Sequence, residues 1–281
     1  MEKILVCLDG SKLSKAVCDY GIYISKKLDL PLVLLNVIEH SHISKKTNLS
    51  GNIGIGSRDA ILEELSNEEM NESKELIAKG RAVLKQYEQY ALESGITKFE
   101  TLQKHGTLEE TLDDLSQDIK IAIIGLKGSD NPDKNIGSHI EELIRGLNIP
   151  ILLVNNDFAP IESILMAYDG SDYANKAIKI ATQNPILPNA KRYIVNVNKD
   201  TSASSKLLNE AKKLFEKQDF NVETQSLSGD TVETLLKFQE EKNIDIIAMG
   251  AYSHNRLKSA IFGSFTTKMF LKAKKPLLLF R

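Results

Sequence analysis

The residues best equipped for chemistry lie between Asp245 and Thr267. An apolar run, Ile246 to Met249, stops at Gly250. A polar loop follows with Ser253, His254, Asn255, Arg256 and Lys258. Gly263-Ser264-Phe265 then opens a helix whose apolar face is Met269, Phe270 and Ala273. A helix start presents unpaired N–H groups and a partial positive charge. Glycine lets an anion approach the main chain closely. The chemistry such a stretch suits is the holding of a phosphate. Alone it says little, because glycine at a strand end also serves ordinary turn geometry. It gains weight from a degenerate copy, Gly125, Gly128 and Gly137-Ser138, placed after another apolar run at Ile121 to Ile124.

The two loops differ in charge. The first sets Asp130 and Asp133 against Lys127 and Lys134, whereas the second holds His254, Arg256 and Lys258 with no acid. A phosphate prefers the second. Two carboxylates repeat as well. Asp9-Gly10-Ser11 ends the run Ile4 to Leu8, and Asp169-Gly170-Ser171 ends a run beginning at Ile164, 160 positions on. Asp-Gly-Ser after a strand is also ordinary turn and N-cap chemistry. Its recurrence beside a glycine loop favours ligand contact, to sugar hydroxyls or to a metal. His139 and His254 read as loop hydrogen-bonders, and His40 with His42 is too small a set for a metal site. Cys7 and Cys18 read as small buried apolar residues rather than redox or metal ligands.

These groups need elements to carry them. Apolar runs alternate with helical spacing along the whole chain, as in a parallel sheet covered on both faces. The first helix shows Ala16, Val17, Tyr20, Gly21, Ile24 and Leu28 on one side, with Ser11 or Ser14 to cap it. Residues 39 to 73 break the rhythm with a glycine-containing loop (Gly51, Gly54, Gly56) and an acidic run, Glu63 to Glu72, read as a solvated loop and surface helix in preference to a lid or partner surface. A long helix is expected from about Ser73 to Glu93. The landmarks then return in order. Tyr193 to Val197 answers Leu34 to Val37, Gly229-Asp230-Thr231 answers Gly106-Thr107, and Pro276 to Phe280 answers Pro150 to Val154. Two homologous domains follow, 1–156 with an insert at 39–73, and 161–281.

Composition sets the outer bounds. A chain of 281 residues with 42% hydrophobic and 26% charged residues can form packed cores. A net charge of −2 argues against nucleic acid as a partner. No apolar run reaches membrane-spanning length, no signal peptide opens the chain, and two cysteines suit a reducing cytoplasm.

If each half is an open sheet of order 3-2-1-4-5, ligands sit beyond the carboxyl ends of strands one and four. Asp9 then neighbours Gly125, and Asp169 neighbours Gly250, with Val37 or Val197 beside them as an apolar wall. At this point both halves resemble universal stress protein domains. The resemblance implies an α/β fold of two tandem Rossmann-like domains, similar to adenine nucleotide alpha hydrolases. It also implies ATP or another adenine nucleotide as ligand, with or without Mg held by Asp9 or Asp169. The nucleotide-binding members carry G-x2-G-x9-G-(S/T). The first copy has Gly125 and Gly128 but only eight residues before Gly137-Ser138. The second has the full spacing from Gly250 to Gly263-Ser264, with Ser253 in place of the second glycine. The second half is therefore expected to be the better site.

No catalytic machinery is visible: no G-x4-G-K-(S/T), no glycine-serine-rich pyrophosphatase loop, no zinc spacing. A regulatory nucleotide-binding protein acting through an unidentified protein partner is the leading expectation. A nucleotide-free scaffold and a slow ATP hydrolase or autokinase are the rivals. The apolar last strands of the two halves would otherwise be open edges. They are expected to pair within the chain as a pseudo-dimer, with homodimerisation left open.

Overall fold

The computed structural model describes residues 1–39, 58–126, 149–250 and 264–280, and the side chains of 58–69, 72 and 264 are outside that description. The first half runs β1 (Lys3–Cys7), α1 (Ser14–Leu28), β2 (Leu32–Ile38), α2 (Arg58–Glu93), β3 (Phe99–His105), α3 (Leu108–Leu115), β4 (Ile119–Gly125) and β5 (Ile151–Val154). The second runs β6 (Ser163–Ala167), α4 (Asp172–Gln183), β7 (Lys191–Val197), α5 (Thr201–Glu216), β8 (Val222–Leu227), α6 (Thr231–Glu241), β9 (Ile246–Gly250), α7 (Ser264–Lys272) and β10 (Leu277–Phe280).

The strands form one ten-stranded sheet in the order β3-β2-β1-β4-β5-β10-β9-β6-β7-β8. Each half has the expected 3-2-1-4-5 order with parallel pairing. The halves meet where β5 and β10 pair antiparallel, Leu153 opposite Leu277 and Leu152 opposite Leu278. The unbroken apolar strands are explained by their two faces. Ile4 and Val6 join a core built with α1, α2, α4 and α5, while Leu5 joins a second core with α3, α6 and α7. Alternate residues of a strand point to opposite faces, so a strand covered twice carries no polar alternation.

Two local expectations are corrected. The long helix does not begin near Ser73. It starts at Arg58, so the acidic run belongs to one helix of 36 residues. At 1.5 Å per residue that helix is about 54 Å long, well over twice the length of the seven-residue strand it crosses. Among its described side chains, Leu84, Tyr87 and Ala91 of the later turns are buried in the core. The Glu-rich composition of residues 63 to 72 is why the sequence set these turns apart from the helix that follows. The glycines at 51, 54 and 56 lie outside the described residues. Second, neither Ser11 nor Ser14 caps α1. Leu13 occupies the N-cap without a side-chain bond, because Ser14 accepts from the Gly10 N–H and donates to Asp9 Oδ1 instead. In the second half Ser171 does cap its helix, accepting from the Ala174 N–H at 3.3 Å.

The segment joining the halves is tied down on both sides. Tyr23 of α1 donates its hydroxyl to the Ile161 carbonyl (2.7 Å), and Phe158 packs edge-on to Tyr20 with centroids 4.9 Å apart. Asn155 donates to the Ala273 and Lys275 carbonyls and Asn156 to Lys274, satisfying acceptors just past the end of α7.

Helix α1 lies close on β1 because Gly21 faces Val6. A Cβ at Gly21 would stand 2.3 Å from Val6 Cγ2. Gly21→Ala is expected to cost about 1–3 kcal/mol through overpacking, read as a lowered urea midpoint. An unchanged midpoint would show that α1 lifts from the sheet without penalty.

Candidate functional site

A cavity of about 310 Å³ opens at the carboxyl ends of β6, β7 and β9, where the strand order of the second half reverses. This volume is at the small end of ligand pockets. Val195, Val197, Met249 and Leu235 supply apolar wall, and Asp169, Ser171, Asp230 and Lys268 supply charge and hydrogen-bonding capacity. The cavity also receives the first residues of α6 and α7, namely Thr231, Phe265 and Thr266, together with Ser171 and Tyr173 at the start of α4. Three helix N-termini thus face one space. Each carries a partial positive charge, offset at α4 and α6 by the Ser171 and Asp230 caps, and two carboxylates and one lysine are the cavity's charged side chains among the described residues.

Local constraints place these groups. Gly170 has φ +76°, a left-handed conformation that L side chains rarely adopt, and a Cβ there would stand 2.6 Å from Leu207 Cδ1. The turn it makes aims Asp169 into the cavity while Asp169 Oδ1 accepts from the Ser171 N–H at 3.0 Å. Among the described residues only that oxygen is engaged. Tyr168 donates its hydroxyl to Asn175 Oδ1 (2.6 Å), and Asn175 Nδ2 donates to the Gly170 carbonyl (3.0 Å). Burial, with Glu210 and Asp169 adding to it, raises the Tyr168 phenol, so it stays a donor. Gly250 lets β9 meet α4. A Cβ there would stand 2.9 Å from the Tyr173 carbonyl carbon, a backbone atom that cannot swing away. Asp230 caps α6, accepting from the Glu233 N–H at 3.1 Å.

The first half repeats the frame but fills it differently. Gly10 has φ +78° and faces Val83. Asp9 Oδ1 accepts from both the Ser11 N–H and the Ser14 hydroxyl, each at 2.9 Å. Glu39 Oε1 accepts from the Leu108 N–H at 3.2 Å, and Thr107 and Glu110 complete a capping box. A carboxylate of the chain itself thus takes the start of α3, whose counterpart α6 opens onto the cavity in the second half.

Of the residues anticipated as ligand contacts, Asp169, Val197, Gly250 and Phe265 line the cavity together. Ser264 begins α7. Asp9, Val37 and Gly125 stand at the equivalent strand ends of the first half. Gly128, Gly137, Ser138, Ser253, His254, Arg256 and Gly263 lie outside the described residues. Sequence reasoning missed Asp230 and Thr231 as site residues, although they sit in a repeat landmark. Lys268 was missed too, and its only signal was a position four residues after Ser264, one helical turn on.

Comparison with known proteins bears on the same frame. The universal stress protein family matches residues 1–155 and again 160–281. The chain is 29% identical over 287 aligned positions to universal stress protein Slr1230 of Synechocystis, covering 100% of both chains. The crystal structure of a universal stress protein from Archaeoglobus fulgidus is similar at 21% identity and a TM-score of 0.71, covering 99% of this chain and 98% of that one. A Pseudomonas aeruginosa structure is similar at 14% identity and a TM-score of 0.62, over 100% and 93%. At these identities the two structures speak for the fold.

Cys7 ends β1 at the place Ala167 takes in the second half. Burial, then the neighbouring Asp9 carboxylate, pushes its thiol from about 9 up to about 12, and burial followed by Asp19 does the same for Cys18. Both thiols should therefore resist iodoacetamide at pH 8 in the folded protein and react readily in urea. Their contribution to stability is whole below the unfolded value near 9 and is lost as pH rises toward 12. Fast alkylation of the native protein would show an activated thiol instead.

Proposed function

We propose, from the premise that this chain belongs to the universal stress protein family, that its second half binds ATP or a related adenine nucleotide as a regulatory ligand. The observation that carries this reading is the cavity at the second-half switch point, where an apolar wall, a carboxylate and three helix N-termini converge. Val195, Val197 and Met249 would take the base, and Asp169 the ribose hydroxyls. The start of α7 would take the phosphates with Lys268 and with Gly250, Ser253, His254, Arg256, Gly263 and Ser264 of the loop. No three His, Cys, Asp or Glu side chains gather as a metal site among the described residues. A magnesium ion would then arrive on the phosphates and borrow one carboxylate, the usual habit of that ion.

The first half, with Asp9, Val37, Gly125, Gly128, Gly137 and Ser138, is the weaker site on this reading. Its helix α3 is already engaged by Glu39, and its loop carries acids. We take 1–156 and 161–281 as the domain limits and the cytoplasm as the location. No helix among the described residues is long and apolar enough to cross a membrane. The ligand would act by changing a surface that a partner protein reads, with little turnover.

Protein purified from cells, denatured and chromatographed, should release ATP, ADP or AMP. Gly263→Asp should abolish ATP binding in calorimetry with magnesium, while Gly137→Asp should leave most of it. Lys268→Ala should weaken it roughly tenfold, the worth of one charge-assisted hydrogen bond. A nucleotide-free protein that binds no ATP would leave the scaffold reading in its place. Turnover that disappears in Asp169→Ala would move the protein to the enzymes.

A further inference from the structure

Four side-chain atoms of the second half are buried with no hydrogen-bond partner among the described residues: Gln239 Nε2, which lies apart on α6, and a group of three, Asn196 Oδ1, Ser204 Oγ and Ser226 Oγ. The three share one face of the sheet. Asn196 is two residues from Ile194 on β7, and Ser226 four from Val222 on β8, and both of those belong to the core on the α4–α5 side. Ser204 lies on α5 in the row of Leu208, Ala211 and Phe215, which enter the same core. Asn196 and Ser226 are also opposite each other in the β7–β8 register. Buried polar atoms left without partners are costly and rare.

The first half shows the same place with every partner made. Asn36 donates to the Leu8 carbonyl at 2.8 Å, as Asn196 does to Tyr168 at 2.7 Å. Gln103, opposite Asn36 in register, donates its amide to Asn36 Oδ1 at 3.3 Å and to the Ile77 carbonyl at 3.0 Å. The helix residue above them is Gly80, where a Cβ would stand 2.0 Å from Asn36 Oδ1 and 2.4 Å from Gln103 Nε2. Ser204 holds the position of Gly80. The missing Cβ of Gly10 faces Val83, and that of Gly170 faces Leu207, each three residues beyond. So the second half exchanges Gln for Ser on the strand and Gly for Ser on the helix. The first exchange removes three non-hydrogen atoms and the second adds two. Room for one non-hydrogen atom results, the size of a water molecule.

We propose that the second half holds one buried water between Asn196, Ser204 and Ser226, in the place the Gln103 amide takes in the first half. The water donates to Asn196 Oδ1. The two hydroxyls, each able to donate and to accept, complete a set of three hydrogen bonds, the usual number for a buried water. It also holds the Asn196 amide with its nitrogen toward the Tyr168 carbonyl, one residue before Asp169. The proposal concerns the wall behind the cavity and holds whether or not a nucleotide binds.

A crystal structure at about 1.5 Å should show one water within hydrogen-bonding distance of all three side chains. Ser226→Gln with Ser204→Gly transplants the first-half arrangement. That double variant should lose the water and melt at or above the parent temperature. Ser226→Gln alone should melt lower, because its amide meets the Ser204 side chain. Ser204→Ala should lower the midpoint by about 2–4 °C, the shift expected for one lost hydrogen bond in a chain of this size. A map with a hydroxyl bonded directly to Asn196 and no water would overturn the proposal. A single Ser226→Gln as stable as the double would also overturn it, by showing that Ser204 does not stand over the pair.

Discussion

The antiparallel pairing of β5 with β10 is the contact on which the architecture turns. Each half alone would end in a short, wholly apolar strand with one row of backbone groups unpaired, an edge that invites association with other chains. Pairing Ile151–Leu153 with Leu277–Leu279 satisfies those groups within the chain and makes two sheets into one. Because the pairing is antiparallel while each half is parallel, the carboxyl ends of the strands in the two halves point in opposite directions. The two switch points therefore open at opposite ends of the sheet. They cannot share a ligand, and each has to be complete by itself.

This independence explains how the halves diverged without losing the fold. What they keep is backbone geometry: left-handed Gly10 and Gly170 after the first strand, and an asparagine on the second strand that holds the carbonyl of the residue before the aspartate. What they vary is the lining. In the first half Ser14 and Glu39 engage Asp9 and the start of α3. In the second, Asp230, Thr231 and Lys268 line a cavity at the strand ends. A duplicated frame tolerates such changes because the inner strands, paired on both sides and buried on both faces, carry the stability while the strand ends do not.

The junction also links the open site to the rest of the chain. Helix α7 starts at the cavity and ends at carbonyls taken by Asn155 and Asn156, in the segment that leaves β5 and crosses α1. One nine-residue helix thus spans the distance from the cavity of the second half to the seam between the halves.

Much of this was legible in the residues. Apolar runs of strand length, Asp-Gly-Ser turns and glycine-flanked loops repeat in the same order, and burial on both faces forces such runs to be apolar throughout. The strand order and the meeting of Asp169 with Val197, Gly250 and Phe265 follow from that order and the handedness of parallel crossovers. The start of α2 at Arg58 was not legible, because the Glu-rich turns before Ser73 read as a separate solvated segment. The N-cap of α1 was not legible either, since Asp9 takes the Ser11 N–H and the Ser14 hydroxyl and leaves neither serine to cap the helix. Nor were Asp230 and Lys268 visible as site residues, as each is ordinary within its own helix. Sequence by itself determined the repeat and the class of fold, because these rest on patterns inside single elements. Tertiary structure alone decided what surrounds the second-half strand ends, because Asp230, Thr231, Phe265 and Lys268 reach Asp169 and Gly250 through contacts between residues far apart in the chain.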